Sequence, residues 1–120
     1  MTKRIYVAGP YSAGNVIDVL KNIGAGRKVC SELFSLGFHV FSPWSDAAFI
    51  IDNPHHDFNI DQFYQYSIAW LEVSDAVFLV PGWETSKGTL AEIEVAKELG
   101  IPIFEHIKGL MAWVEMEGEK

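Results

Sequence analysis

The amino-acid sequence predicts an α/β domain in three layers, with a parallel sheet of four to five strands and helices on both faces. Three observations carry that prediction. Short apolar runs at residues 5–8, 76–80 and 101–104 lie between breakers and are too brief for helices, the pattern of strands buried on both faces. Longer stretches between the runs repeat apolar residues at helical spacing. Residues 75–105 read as strand, loop, helix and strand, a unit that closes as a right-handed crossover between parallel strands.

In chain order, residues 5–8 form the first strand, closed by Gly9 and Pro10, and a loop runs to Gly14. Asn15 is placed to cap a helix over residues 15–36, loosened by Gly24 and Gly26 and ended by Gly37. Residues 38–41 alternate as a second strand before the Ser42-Pro43 turn. Residues 44–59 show no clear period and read as a long connection, of the kind that forms a lid or stays irregular. Helical spacing resumes over residues 60–73 and leads into the central strand at 76–80. Pro81 and Gly82 end that strand, 83–89 is a polar loop, and a helix begins at Leu90 and stops at Gly100. Beyond the last strand, 107–114 is a short amphipathic helix and 115–120 an acidic, frayed tail.

One domain accounts for all 120 residues, enough to bury roughly two-thirds of the unfolded surface. Nine basic residues against sixteen acidic ones give a net charge of −7, which argues against a nucleic-acid polymer as partner and leaves a small ligand open. No apolar run reaches the roughly 20 residues of a membrane span, and the first residues lack a signal peptide's apolar stretch, so the expected location is the cytoplasm. The single Cys30 sits among helix-pattern residues and reads as packing. His55, His56 and Asp57 lack a third ligand at metal-site spacing and read as a solvated loop.

Two glycine-bearing loops lie at neighbouring strand ends. The Gly9 to Gly14 loop lacks the G-x-G-x-x-G spacing of a dinucleotide fingerprint, and Ser86-Lys87-Gly88-Thr89 lacks the Gly-Lys-Ser/Thr order of a phosphate loop. Both would converge over one crevice at the carboxyl ends of the strands. Glu92 falls in the predicted first turn of the helix at that edge.

Four segments, Ile5-Tyr6-Val7-Ala8-Gly9-Pro10-Tyr11, Gly37-Phe38-x-Val40-Phe41-Ser42-Pro43, Ser74-Asp75-Ala76 and Gly88-Thr89-x-x-Glu92-Ile93-x-x-Ala96-x-x-x-Gly100-x-Pro102, resemble the nucleoside 2-deoxyribosyltransferase superfamily. That superfamily includes the 2-deoxynucleoside 5-phosphate N-hydrolases and many small uncharacterised relatives. The resemblance implies a flavodoxin-like fold and N-glycosidic cleavage of a deoxyribonucleoside or its 5-phosphate, by transfer or hydrolysis. Glu92 matches the nucleophile, which attacks the anomeric carbon and expels the base. Tyr6 and Gly9 match the first loop facing the nucleoside, with Pro10 and Tyr11 beside them. The aspartate that closes the helix before the central strand has Ser67 in its place, and Asp61 and Asp46 are the nearest acidic substitutes, Asp61 for the catalytic role and Asp46 for substrate binding. Six residues before the nucleophile, where the nucleotide hydrolases carry a phosphate-binding serine, this chain has Ser86. Pro10 and Ser12 stand where those hydrolases carry a phosphate-binding serine and arginine, and Lys87 can supply the missing charge. The family builds sites at dimer interfaces, so a homo-oligomer is implied, with 44–51 and 110–114 as candidate contact segments.

The chemistry supports a glutamate independently. Cleaving an N-glycosidic bond develops positive charge on the sugar, which a carboxylate beneath it stabilises and then bonds covalently. A helix N-terminus would keep that carboxylate ionised, by about 0.3–1 kcal/mol if exposed. Gly88 lets the backbone approach a ligand, and Trp83 at a loop tip serves either as a base-stacking surface or as a subunit contact. Nucleophile, sugar clamp and stacking surface are all side chains, so neither metal nor organic cofactor is required. Glu92 also fits as an ordinary acid complementing a helix dipole, Asp75 as a strand-end hydrogen-bonder, and Trp70, Phe63 and Phe78 as core. The rival function is a nucleotide sensor that keeps the crevice without catalysis, as Ser67 in place of an aspartate would allow.

Overall fold

The computed structural model describes residues 3–118. Four strands, β1 (Arg4–Ala8), β2 (His39–Phe41), β3 (Ala76–Leu79) and β4 (Ile103–Phe104), form one all-parallel sheet in the order β2-β1-β3-β4. Five α-helices accompany them: α1 (Val16–Ser35), α2 (Ala47–Asp52), α3 (Ile60–Leu71), α4 (Lys87–Glu98) and α5 (Ile107–Gly118). This is the three-layer flavodoxin-like arrangement. Because β1 leads sideways to β2 while β3 lies on its other flank, the strand order reverses between β1 and β3, which opens a crevice at their carboxyl ends.

Strand alternation divides the core in two. Ile5, Val7, Ala76, Phe78 and Val80 point to one face, where Cys30 and Leu33 of α1 and Leu110 of α5 pack on them. Tyr6, Ala8, Val77 and Leu79 point to the other, against Leu71 of α3 and Ile93 and Ala96 of α4. β3 is therefore buried at every step and β1 at every step after Arg4, as their apolar runs require.

Local chemistry sets the element ends. Asn15 caps α1, accepting the Asp18 N–H at 2.9 Å, and Gly37 (φ 98°) and Gly100 (φ 73°) adopt the left-handed turns that end α1 and α4. Pro102 accepts a hydrogen bond from Val77 but has no N–H to return, so β4 starts at Ile103 instead of 101. Asp75 accepts the Arg4 N–H at 2.7 Å, the strand-end bond its position predicts.

Four expectations are corrected. The 44–59 connection is ordered at its start, with a 3₁₀ turn at Pro43–Asp46 and then α2, because Trp44 is driven into the core and is only 1% exposed. Leu110 is fully buried beneath the sheet, so neither Trp44 nor Leu110 is available for a subunit contact, whereas Phe49, Ile50 and Ile51 are exposed. Helix α5 continues to Gly118, with Met111, Trp113 and Val114 packed on the first core; of the predicted frayed tail, 119–120 lie outside the described residues. Trp70, expected in the core, is 48% exposed and closes a stack running from Tyr6 through Phe41. Among the described residues no helix is long and apolar enough to cross a membrane.

The Trp44 indole lies against Gly26 of α1, where a Cβ would stand 2.3 Å from ring atom Cε2, and its Nε1 donates to the Pro10 carbonyl at 2.9 Å. Gly24, two residues away, meets nothing within 4 Å. Gly24→Ala is therefore expected to stabilise the protein by roughly 0.5–1 kcal/mol and Gly26→Ala to destabilise it by about 1–3 kcal/mol, read from urea midpoints. Equal shifts for the two variants would show that Trp44 is not locked against the helix.

Candidate functional site

A cleft of about 600 Å³ lies over the carboxyl ends of β1 and β3. Gly9, Tyr11 and Ser12 from the loop after β1 form one wall, and Pro43, Trp44, Asp46 and Ile50 following β2 form the next. Helix α3 contributes Ile60, Phe63, Tyr64 and Ser67, and the start of α4 contributes residues 85–89 and Glu92.

Glu92 sits on the cleft floor and accepts a hydrogen bond from the Tyr6 hydroxyl. Tyr6 is fully buried in the middle of β1, and the Ser67 hydroxyl donates to its oxygen from α3. Strand, α3 and α4 thus meet in a chain from Ser67 through Tyr6 to Glu92. Burial pushes the Glu92 carboxyl up from 4.5 to about 7, and the Tyr6 hydrogen bond pulls it partly back. Burial first, and the neighbouring Glu92 charge second, hold the Tyr6 phenol far above its usual range, so it stays protonated and acts as a donor.

The expected dipole effect on Glu92 is corrected. Ser86 caps α4 by accepting the Thr89 N–H at 3.2 Å, so the helix begins at Lys87 and Glu92 falls in its second turn. Desolvation, not the helix terminus, governs its charge. Ser86 Oγ also accepts from Thr89 Oγ1 at 2.9 Å, which leaves its own proton free to donate into the cleft. Lys87 and Gly88 line the cleft at the first two helical positions, where no preceding turn supplies a partner for their backbone N–H groups. No Cβ crowds the space at Gly88.

Asp46 is 7% exposed and accepts the Tyr11 hydroxyl on Oδ1 at 2.8 Å. Burial raises its carboxyl above the ordinary range, with the Tyr11 bond opposing. Burial and then Asp46 raise the Tyr11 phenol as well.

The structure brings Glu92, Tyr6, Gly9, Tyr11, Asp46, Ser86, Lys87 and Gly88 to this cleft or directly beneath it. It does not bring three others. Asp61 is exposed on α3: the cleft takes the i, i+3, i+4, i+7 stripe of Ile60, Phe63, Tyr64 and Ser67, and Asp61 lies about 100° around the helix from Ile60. Trp83 is corrected as a base-stacking surface, because Gly82 (φ 95°) turns the loop outward and the indole packs on the α4 side of the sheet, beside Leu79, Leu90 and Ile103. Pro10 stands behind the wall, holding Trp44 through its carbonyl. The α3 stripe and Trp44 are the functional candidates that sequence reasoning missed. The Ile60-Phe63-Tyr64-Ser67 spacing, apolar with one hydroxyl, was the available signal. Among the described residues no group of three His, Cys, Asp or Glu side chains comes together to hold a metal, and His56 instead packs on Phe58.

Residues 3–105 match a family described as a domain of unknown function, DUF4406, and the match takes in every cleft residue. No curated protein matches the chain.

Folding takes up a proton at Glu92 between its ordinary pKa of 4.5 and about 7, so its contribution is most favourable at acid pH and is lost as pH rises through about 7. Glu92→Gln is expected to match wild-type stability near pH 4 and exceed it by on the order of 3 kcal/mol at pH 8, read by urea unfolding at both pH values. A gain that does not change with pH would show that Glu92 is not desolvated.

Proposed function

The chain belongs to the DUF4406 family, and from the chemistry of its cleft we propose that it cleaves the N-glycosidic bond of a deoxyribonucleoside or its 5-phosphate. The observation that carries this reading is Glu92, a part-buried carboxylate on the floor of a nucleoside-sized cleft and held by a phenol that cannot take its proton.

Ionised Glu92 attacks the anomeric carbon as the carbon–nitrogen bond breaks and its electron pair leaves with the base. The sugar is held as an ester until water or a second base displaces the glutamate. Tyr6 orients the carboxylate and keeps one oxygen engaged, leaving the other to react. The apolar walls of Trp44, Ile50, Phe63 and Tyr64 suit a base. At the opposite chemistry, Lys87, the Ser86 hydroxyl and the free N–H groups opening α4 suit a 5-phosphate. Exposed Phe49, Ile50 and Ile51 on α2 beside the cleft suit contact with a second copy of the chain.

Wild-type protein incubated with deoxynucleosides and deoxynucleotides is expected to release free base, seen by chromatography, with Glu92→Ala slower by on the order of 10³-fold or more. Adding a second base separates transfer from hydrolysis. Tight binding without release by wild type would instead establish a sensor.

Because Glu92 must lose its proton to attack, kcat/KM is expected to climb with pH and level off above about 7. Tyr6→Phe removes the bond that favours the ionised form, so its rising limb is expected at higher pH. A limb that moves down or stays fixed would remove Tyr6 from the machinery.

A further inference from the structure

The cleft holds a nearly buried carboxylate whose second oxygen has no hydrogen-bond partner among the described residues and which the proposed cleavage does not use. Asp46 is more than nine-tenths buried, yet among the described residues only Tyr11 hydrogen-bonds its carboxyl, on Oδ1. Its second oxygen, Oδ2, is not sealed in the interior, and the residue lines the cleft. The carboxyl is also held still. It closes the 3₁₀ turn Pro43–Asp46, whose Trp44 is fastened to the Pro10 carbonyl and wedged against Gly26. Tyr11 is itself tied down, its carbonyl accepting from Asn22 of α1 at 3.1 Å. Asp46 lies near enough to the reacting centre that its charge acts on the Tyr6 hydroxyl.

We propose that Asp46 selects the substrate: Oδ2 accepts a hydrogen bond from an O–H or N–H donor of the bound nucleotide, and ligands lacking a donor at that point are rejected. This rests on the nucleoside or nucleotide reading of the cleft. An ionised carboxylate accepts only, so a ligand carbonyl or ring nitrogen placed there sets lone pair against lone pair, and a hydrocarbon leaves a buried charge unpaired. Sites built around such a buried acceptor discriminate far more strongly than apolar pockets do. Two ligand groups carry the required donor, the exocyclic amine of the base and the 3′-hydroxyl of the sugar. Tyr11 is the positioning residue, since its hydroxyl occupies Oδ1 and directs Oδ2 to the ligand. Glu92, Tyr6, Tyr11, Tyr64 and Lys87 are the other titratable groups at this cleft among the described residues, from β1, its following loop, α3 and α4.

The test uses the full chain and two parent probes, 2′-deoxyadenosine and 2′-deoxycytidine 5′-monophosphates. Each is compared with its analogue lacking the exocyclic amine and its analogue lacking the 3′-hydroxyl, by kcat/KM or, where no base is released, by Kd. Wild type is expected to prefer a parent over one of its analogues by roughly 10- to 100-fold, and the analogue that fails names the donor. Asp46→Leu and Asp46→Asn are each expected to shrink that preference at least tenfold while still binding the parent. A wild type that binds the parents and both analogues alike, or variants that keep the full preference, would overturn the role of Asp46 alone. A wild type that takes none of the probes would overturn the nucleotide reading, and this assignment with it.

Discussion

The hydrogen bond from Tyr6 to Glu92 is the contact on which the site depends, because it joins the fully buried centre of the sheet to the helix that supplies the acid. A carboxyl drawn largely out of water needs compensation, which the Tyr6 phenol supplies as a hydrogen-bond donor while burial favours the neutral form. That arrangement exists only because β1 is an inner strand covered on both faces. Its alternation sends Ile5 and Val7 to the α1 side and Tyr6 to the α3 and α4 side. A register slip of one residue would turn Tyr6 to the wrong layer and leave Glu92 without its donor.

The opposite wall is built around a different device. Trp44 fills the space over Gly26, and the Gly9 backbone runs so close to Val80 that a Cβ at Gly9 would stand 2.6 Å from the valine's own. Two absent side chains thus let the loops after β1 and β2 settle onto α1 and β3. What that packing holds in place is Pro10, Tyr11 and Asp46, through the indole bond to the Pro10 carbonyl and the phenol bond to Asp46. Close packing on one side of the sheet and a buried polar chain on the other therefore fix the two carboxyls independently.

The strands and the crossover could be read from the sequence because fully buried parallel strands are written as unbroken apolar runs, and the glycines at 37, 82 and 100 mark their turns with positive φ. The start of α4 was hidden by composition. Ser86-Lys87-Gly88-Thr89 looks like a loop until Ser86 is seen to cap, and the three extra residues beyond the cap carry Glu92 out of the first turn. A dipole argument drawn from residue position thus gave way to desolvation, which depends on neighbours far apart in the chain. Helix α3 shows the same limit. Its amphipathic period was plain, but which stripe meets the cleft is decided by how α3 rests against α4, so Asp61 fell outside and Ser67 inside. Trp83 was misplaced because a single left-handed residue, Gly82, redirects the loop before it.

The electrostatics of the cleft follow from these placements. Two carboxyls face one small volume in a chain whose net charge is −7, which on a simple count would repel any anionic ligand. Burial changes the count. It raises Glu92 to about 7, so near neutral pH that carboxyl is only partly ionised and the cleft holds less negative charge than its residues suggest. Lys87 and the unsatisfied N–H groups of α4 then set a local positive end against that weakened background. Overall acidity still disfavours a polyanion, whose phosphates would lie along the outer surface where no such compensation exists. A ligand with one phosphate avoids that penalty by placing its charge at the helix start while its uncharged remainder lies against Trp44, Phe63 and Tyr64. The same desolvation that makes Glu92 reluctant to ionise therefore allows a small anion to share its cleft.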